Sequence, residues 1–438
     1  MAHSFETNAE AACAAIRNRD VSAQELTSHF LARIEAGNGS LGAIRHVMAD
    51  QAIEAARAVD AKTEAGEALP PLAGLPVVVK ENCDTAGAPC SAGLAFRADH
   101  VPMADSAVTA RLRAAGAIIL GVSVSDPGAF SVRTPDVTHP VDPALTVGGS
   151  SGGSAAALAA GFCLGAIGTD TGGSIRIPSA CCGTAGLKPT YGALPMDGIF
   201  PLVKSLDHVG PMGRSVGDVR LLWHALANGQ SEPVSEPRRI GYDPAWVEIA
   251  DRPIRDAFAL GLERLRDQGI SVVEISLPDL DDVVAMHGQI FLVEAAAYHC
   301  AHHGENIGSY PAIAREWFAV AREMGVGAYI DACTKRVAMT GMVDQALRKV
   351  DAIMTPSLCV ALPKKAAETV TIAGVQHDYT MGLVRLTCLF DHTGHPSVAF
   401  PVLGAPDALT SSFQVIGPHR GEEKLLQIAD RLSRDTVG

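Results

Sequence analysis

The chain has no CxxC pair, no HExxH motif, and no lysine after either of its two glycine-rich knots. The first two absences exclude the common zinc spacings. Two histidine-bearing clusters exist, "HCAHH" (His299 to His303) and "DHTGH" (Asp391 to His395), but neither has ligand spacing, so no metal is expected. The missing lysine excludes a phosphate-binding P-loop, and no organic cofactor is implied. A basic excess is also lacking. Lys and Arg total 35 against 48 Asp and Glu, a net charge of -13. That argues against a nucleic-acid partner and mostly favours solubility. No run of about 18 apolar residues is present, so no membrane span is expected. The start, "MAHSFETNAEAACAAIRNRD", lacks a basic stretch followed by an apolar core, so no secretory signal is expected and a cytoplasmic setting is the default. The ten cysteines have no regular spacing and read as reduced, buried thiols. No further domain or fused activity is expected beyond Gly438.

What is present is a globular composition, 47% hydrophobic and 19% charged over 438 residues. Ser22-Ala23-Gln24-Glu25 is a capping box that opens an amphipathic helix through Leu26, Phe30 and Ile34. A second helix fits "ADQAIEAARAVDAKTEAG". Val77-Val78-Val79 is a short β-branched run with Lys80 at its end. A helix in "SAVTARLRAAG" leads to a strand at 117–122. A small-residue helix is predicted at 155–160 and a strand at 163–167, with later strands near 270–277 and 351–357. This alternation predicts an α/β fold, one mixed β-sheet covered on both faces by helices. A single domain spanning 1–438 is expected, with a catalytic core at 70–225 and a variable, mostly helical segment at 232–345. "SEPVSEPRR" (231–239) is the linker candidate between them.

The chemistry concentrates in two knots, "VGGSSGGSAAALAAG" (147–161) and "GTDTGGSIRIPSACCG" (168–183). From Pro143 to Thr169 there is no charged side chain and no histidine. Glycine pairs let a backbone turn sharply or let a ligand approach. Gly148-Gly149-Ser150-Ser151-Gly152 satisfies GxSxG, the nucleophile elbow of serine esterases, with Asp391 and His395 as conceivable partners. An elbow needs a strand before it, and "HPVDPALTV" contains two prolines. The other reading activates a serine with a neutral lysine. Lys80 suits this, because burial at the end of an apolar strand disfavours its charged form.

At these residues the sequence resembles the amidase signature hydrolases. "PLAGLPVVVKENCDTAG" is similar to that family's strand–lysine segment. "GGSSGGSAAALAAG" followed by "GTDTGGSIRIPSACCGTAGLKPTYG" resembles its defining signature. "SLDHVGPMGRSVGDVRLL" (205–222) and "DHTGHPSVAFPVLG" (391–404) are further similar segments. The resemblance implies the amidase signature fold, Ser174 as nucleophile, Ser150 as bridging serine after a cis peptide from Gly149, and Lys80 as general base. It implies an oxyanion hole from the backbone N–H groups of Thr171, Gly172, Gly173 and Ser174. Ser151, Asp170 and Arg176 are expected to support the loops, with Ser151 and Ser154 bonding backbone. The sequence departs from the family at Gly121-Val122-Ser123-Val124, in "SDPGAFSVRTPD" (125–136), and at Asp391, where relatives often carry Asn. The resemblance places the 125–136 loop beside the acyl pocket, so these departures leave the substrate open.

The function expected is hydrolysis of a carbon–nitrogen amide-type bond through an acyl-Ser174 intermediate. The partners are a small amide, hydrazide or urea substrate and water, with no nucleic acid and no membrane; a homodimer is what the family implies. The alternatives are a GxSxG esterase using Ser150, the amide-transfer component of a tRNA-dependent amidotransferase complex, and an inactive binding relative. Arg133 is a candidate for carboxylate recognition or a surface charge.

Overall fold

The computed structural model describes residues 8–227, 236–402 and 411–433. Thirteen strands occur among them: β1 (Ile44–Val47), β2 (Pro76–Lys80), β3 (Ile118–Ser123), β4 (Gly165–Asp170), β5 (Ala185–Lys188), β6 (His208–Gly213), β7 (Arg239–Tyr242), β8 (Ser271–Glu274), β9 (Ala352–Pro356), β10 (Thr369–Ile372), β11 (Val375–Asp378), β12 (Ser397–Pro401) and β13 (Ser412–Ile416). Eleven form one sheet in the order β1-β3-β2-β4-β6-β5-β12-β13-β9-β7-β8. The sheet is mixed: β2 runs parallel to β3 and β4, whereas β4 and β6 are antiparallel. β10 and β11 form a separate hairpin.

Strands β2, β3, β4 and β6 are buried at every position, without the in–out alternation of a half-exposed sheet. Both faces are therefore covered, and helices do the covering. The capping box forms as the residues dictate. Ser22 Oγ accepts from Glu25 N–H at 3.0 Å, and the Glu25 carboxylate accepts from Ser22 N–H at 3.0 Å, opening the helix Ala23–Leu41. No helix among the described residues is long and apolar enough to cross a membrane.

Two differences from the sequence reading matter for the site. The small-residue helix begins at Gly152, nearer Ser150, and runs to Ala159. The following strand is Gly165–Asp170 rather than 163–167, because pairing with β6 carries it past the apolar run into "GTD". That extension puts Asp170 at the strand end, directly before the second knot. The linker candidate lies mostly outside the described residues. Strands from either side of 228–235 nevertheless share the sheet, since β12 pairs with β5 on one side and with β13 on the other.

Candidate active site

Lys80 ends β2 and is fully buried. Its Nζ lies 2.7 Å from Ser150 Oγ and 2.9 Å from Thr169 Oγ1. Burial lowers its pKa from 10.5 to about 8, although nearby acids, Asp126 and Asp170 among them, pull the other way. Burial thus favours the neutral amine beside the Ser150 hydroxyl, to which Nζ donates in this structure. Asn82 Nδ2 holds Thr169 Oγ1 at 3.1 Å, so the lysine's second partner is itself fixed. Burial also pushes Asp126 up to about 7, against bonds from Ser131 N–H and Oγ.

Ser150 is fully buried, and the Gly149–Ser150 peptide is cis. Only glycine fits at 149, because a Cβ there would lie 2.0 Å from the carbonyl oxygen of Arg133. Ser151 ties the two knots together: its N–H donates to the Ser174 carbonyl at 3.2 Å, and its hydroxyl meets the Thr169 backbone. Ser154 Oγ bonds the Ile167 carbonyl and Ser123 Oγ.

Asp170 shapes the second knot. It accepts the N–H groups of Gly173 at 2.6 Å and Ile175 at 2.9 Å, and the Arg176 guanidinium from 2.9 Å. Burial alone would raise this carboxyl; the Arg176 charge and these bonds hold it well below the usual range. Arg176 also contacts Asp391 at 2.6 Å. Burial and the neighbouring Asp170 charge raise Asp391 well above its usual range, which favours its neutral form, although Arg176 and Lys188 pull the other way.

The Asp170–Gly173 bond corrects one expectation. The Gly173 N–H is already engaged by a carboxylate, so it does not stand free for an oxyanion. The N–H groups of Thr171, Gly172 and Ser174 have no acceptor among the described residues. The loop is held from outside as well: Thr171 Oγ1 donates to Asp207 at 2.7 Å, and Thr387 Oγ1 donates to the Gly172 carbonyl at 2.6 Å. Gly173 has a φ of +134°, and a Cβ there would meet Thr387 Oγ1 at 2.3 Å, so glycine is required.

Ser174 is 6% exposed and its hydroxyl makes no hydrogen bond within the described protein, to Ser150 included. It opens into a cavity with Thr171, Gly172, Phe130, His287, Phe291 and Trp317. No charged side chain lines this cavity. Three of those residues come from helices in 280–323, a segment to which sequence reasoning gave no site residue. Thr169, Asp207 and Thr387 were missed too. Thr169 stood in the knot itself and Asp207 in the family-like segment 205–222, whereas Thr387 carried no signal beyond an ordinary polar residue.

The elbow geometry is absent. Residues 146–149 form no strand, and no described histidine hydrogen-bonds to Ser150 or Ser174. His395 bonds Asp344 and Thr393 instead. With Asp344 and His419 it forms a group whose candidate ligand atoms lie within 4.8 Å of one another, but none of the three lines the cavity. Of "HCAHH", His299 packs its ring against Phe130, Phe200 and Phe318. Arg133 lies over the Tyr379 ring at 3.8 Å and bonds the carbonyls of Lys365 and Ala367, so it does not face the cavity.

A family model described as Amidase matches residues 25–426. The chain belongs to the amidase signature family. It is 32% identical to a glutamyl-tRNA(Gln) amidotransferase subunit of Anaeromyxobacter sp. (strain K), over 96% of this chain and 94% of that protein. Among solved structures, one of an amidase is 30% identical with a TM-score of 0.89, covering 97% of this chain and 99% of that one. A chain from a vestigial protein complex bearing on the origins of an s-triazine catabolic enzyme is 29% identical with a TM-score of 0.91, covering 98% of each. The family acts on carbon–nitrogen bonds, and this chain is an enzyme of that kind.

Proposed function

We propose that this amidase signature enzyme hydrolyses a small, largely uncharged amide through an acyl-Ser174 intermediate, with Ser150 and Lys80 as its proton relay. The observation that carries the reading is the buried Lys80–Ser150 contact at 2.7 Å beside a cavity that opens onto Ser174. Ser174 Oγ attacks the carbonyl carbon and its proton passes to Ser150 Oγ. Ser150 in turn gives its own proton to neutral Lys80. The Ser150–Ser174 contact closes when substrate binds, as catalytic hydrogen bonds commonly do. The oxyanion faces the N–H groups of Thr171, Gly172 and Ser174; one such donor is worth about 10²–10³ in rate. The C–N bond breaks as Ser150 returns a proton to the leaving nitrogen and Lys80 reprotonates Ser150. Water then attacks the acyl-serine, losing a proton along the same path, and the acid leaves as Ser174 recovers its proton.

The uncharged cavity bears on the substrate. A free amino acid with a side-chain amide would bury an ammonium and a carboxylate there without partners, at a cost of several kcal/mol. This disfavours the amide-transfer role of the tRNA-linked relative. The test is labelling by a fluorophosphonate together with release of amine from a panel of amides, hydrazides, ureas and esters. Ser174→Ala is expected to lose both label and turnover. A label that persists in Ser174→Ala and vanishes in Ser150→Ala overturns the reading in favour of the esterase.

A further inference from the structure

The cavity at Ser174 is walled mainly by carbon. Phe130, Val132, Phe291, Trp317, Met381 and Val384 are its apolar lining. Of its polar groups, Thr171 Oγ1 is taken by Asp207 and Ser131 Oγ by Asp126. The hydroxyls of Ser174 and Thr380, the Trp317 indole N–H and one imidazole nitrogen, His287 Nε2, have no partner among the described residues. A hydroxyl rotates to donate or accept and an indole N–H only donates, whereas an imidazole edge is fixed in direction and takes its sign from the tautomer. Among the described lining residues, His287 is the one whose role as donor or acceptor depends on a tautomer.

That tautomer can be assigned from the bonding. His287 Nδ1 lies 3.0 Å from His392 Nε2, with the rings near perpendicular at 85°. One of these two nitrogens carries the proton. His392 Nδ1 is buried and has no hydrogen-bond partner. Were the His392 proton on Nδ1, a buried N–H would be orphaned, an arrangement native proteins almost never tolerate. With the proton on His392 Nε2, the orphan is only a lone pair. His392 Nε2–H then donates to His287 Nδ1, and the His287 proton must sit on Nε2. His287 thus offers an N–H to the cavity. The geometry keeps it at the reacting end, since a Cβ built on Gly172 would lie 3.2 Å from Nε2.

The pair is uncharged. Burial pushes His287 down to about 4 and His392 well below its usual range. A neutral donor among aromatic rings does not call for an anion. It suits an uncharged acceptor, such as a ring nitrogen, a carbonyl or an ether, on a flat substrate group.

We propose that His287 is a specificity-determining residue whose Nε2–H, oriented by His392, selects amides that place a neutral hydrogen-bond acceptor in this cavity, heteroaromatic carboxamides above all. The proposal rests on Ser174 being the nucleophile. A site built to donate a hydrogen bond rejects an analogue lacking the acceptor, because the buried donor is then left unpaired.

The probes are picolinamide, nicotinamide and isonicotinamide against benzamide, which differ by one ring nitrogen. Ammonia release gives kcat/KM, and protection of Ser174 from fluorophosphonate gives binding for any probe not turned over. The expected result is that at least one pyridinecarboxamide is preferred over benzamide. That preference should fall about 10- to 100-fold in His287→Phe, which keeps the ring shape, and recover in part in His287→Gln, which restores an N–H donor. Nitrogen-15 shifts should place the His287 proton on Nε2. The proposal is overturned if His287→Phe slows benzamide and the pyridinecarboxamides equally, if no pyridinecarboxamide is preferred in either assay, or if the proton sits on Nδ1. Failure of the wild-type protein to label at Ser174 would instead remove the nucleophile reading. The tautomer measurement would still stand.

Discussion

The two walls of the cavity are built on opposite principles. One wall is the second glycine–serine knot, at the end of β4, which faces the cavity with Thr171, Gly172 and Ser174 and is backed by the first knot and by Lys80 at the end of β2. The buried charges there are paired or pushed toward the neutral form: burial lowers Lys80, Arg176 pairs Asp170, and burial with the Asp170 charge raises Asp391. The other wall comes from the helices Leu280–His303 and Ala312–Glu323 and supplies rings: His287, Phe291 and Trp317. Proton transfer needs hydroxyls and an amine held to within tenths of an ångström, which strand ends and glycine turns provide. Recognition of an uncharged group needs shape and one directional donor, which helices can change residue by residue. In the proposed reading, chemistry and selectivity are carried by different stretches of the chain.

Substitutions in the two walls should therefore fail differently. The largest effect is expected on the relay. Lys80→Ala should cost about 10³-fold or more in kcat, comparable with loss of the nucleophile, since members of such a unit act together. In the unmutated enzyme kcat/KM should fall as pH drops below about 8. The sign follows from the role: the base works only when unprotonated, and burial has brought its pKa down into that range. A histidine-based enzyme would hold its rate down to a pH nearer 6.5, so the pH–rate profile separates the two.

Next comes the charge cluster that supports the same wall. Arg176→Met leaves Asp170 ionised and buried without its cation, at an expected cost of about 3–5 kcal/mol in stability, read as a large drop in Tm. Trp317→Ala, in the opposite wall, should leave Ser174 open to fluorophosphonate and alter preference among acyl groups by about 10- to 200-fold in kcat/KM. A variant that lost labelling would show that the helical wall also positions the nucleophile. The smallest effect is expected from Asp391→Asn. Burial and the Asp170 charge favour the neutral carboxyl, so an amide of the same shape should shift stability by less than about 1 kcal/mol in a thermal melt. A large loss would mean that Asp391 is ionised in the fold.

Much of the first wall could be read along the chain. A lysine closing a β-branched run, and serines set among glycines in a stretch with no charge and no histidine, left a Ser-Lys pair and a GxSxG elbow both open; the resemblance to the amidase signature hydrolases singled out Lys80, Ser150 and Ser174. Local pattern drew attention to these stretches because glycine, serine and a strand end are short-range features. The Gly173 N–H was misjudged for a long-range reason: whether it faces a substrate or Asp170 depends on how far β4 extends, and pairing with β6 decides that. The second wall was not readable. His287 and Phe291 sit in an amphipathic helix whose apolar positions look like any core stripe. His287 acquires a meaning only when His392, far away in sequence, is packed against it.

Residue order alone was enough for the layered α/β architecture, since alternation of helix and strand leaves few ways to bury both faces of a sheet. It reached the reaction class through resemblance, because the two knots and the strand–lysine segment are compact stretches that can be matched to a family without the fold. Folding in three dimensions was needed to show which N–H groups beside Ser174 have no acceptor among the described residues, which carboxyl of the Arg176 cluster is pushed toward its neutral form, and which helix closes the cavity. Those are properties of groups drawn from distant parts of the chain, where burial and a neighbour's charge, rather than the residue's own type, fix its protonation and its hydrogen bonds.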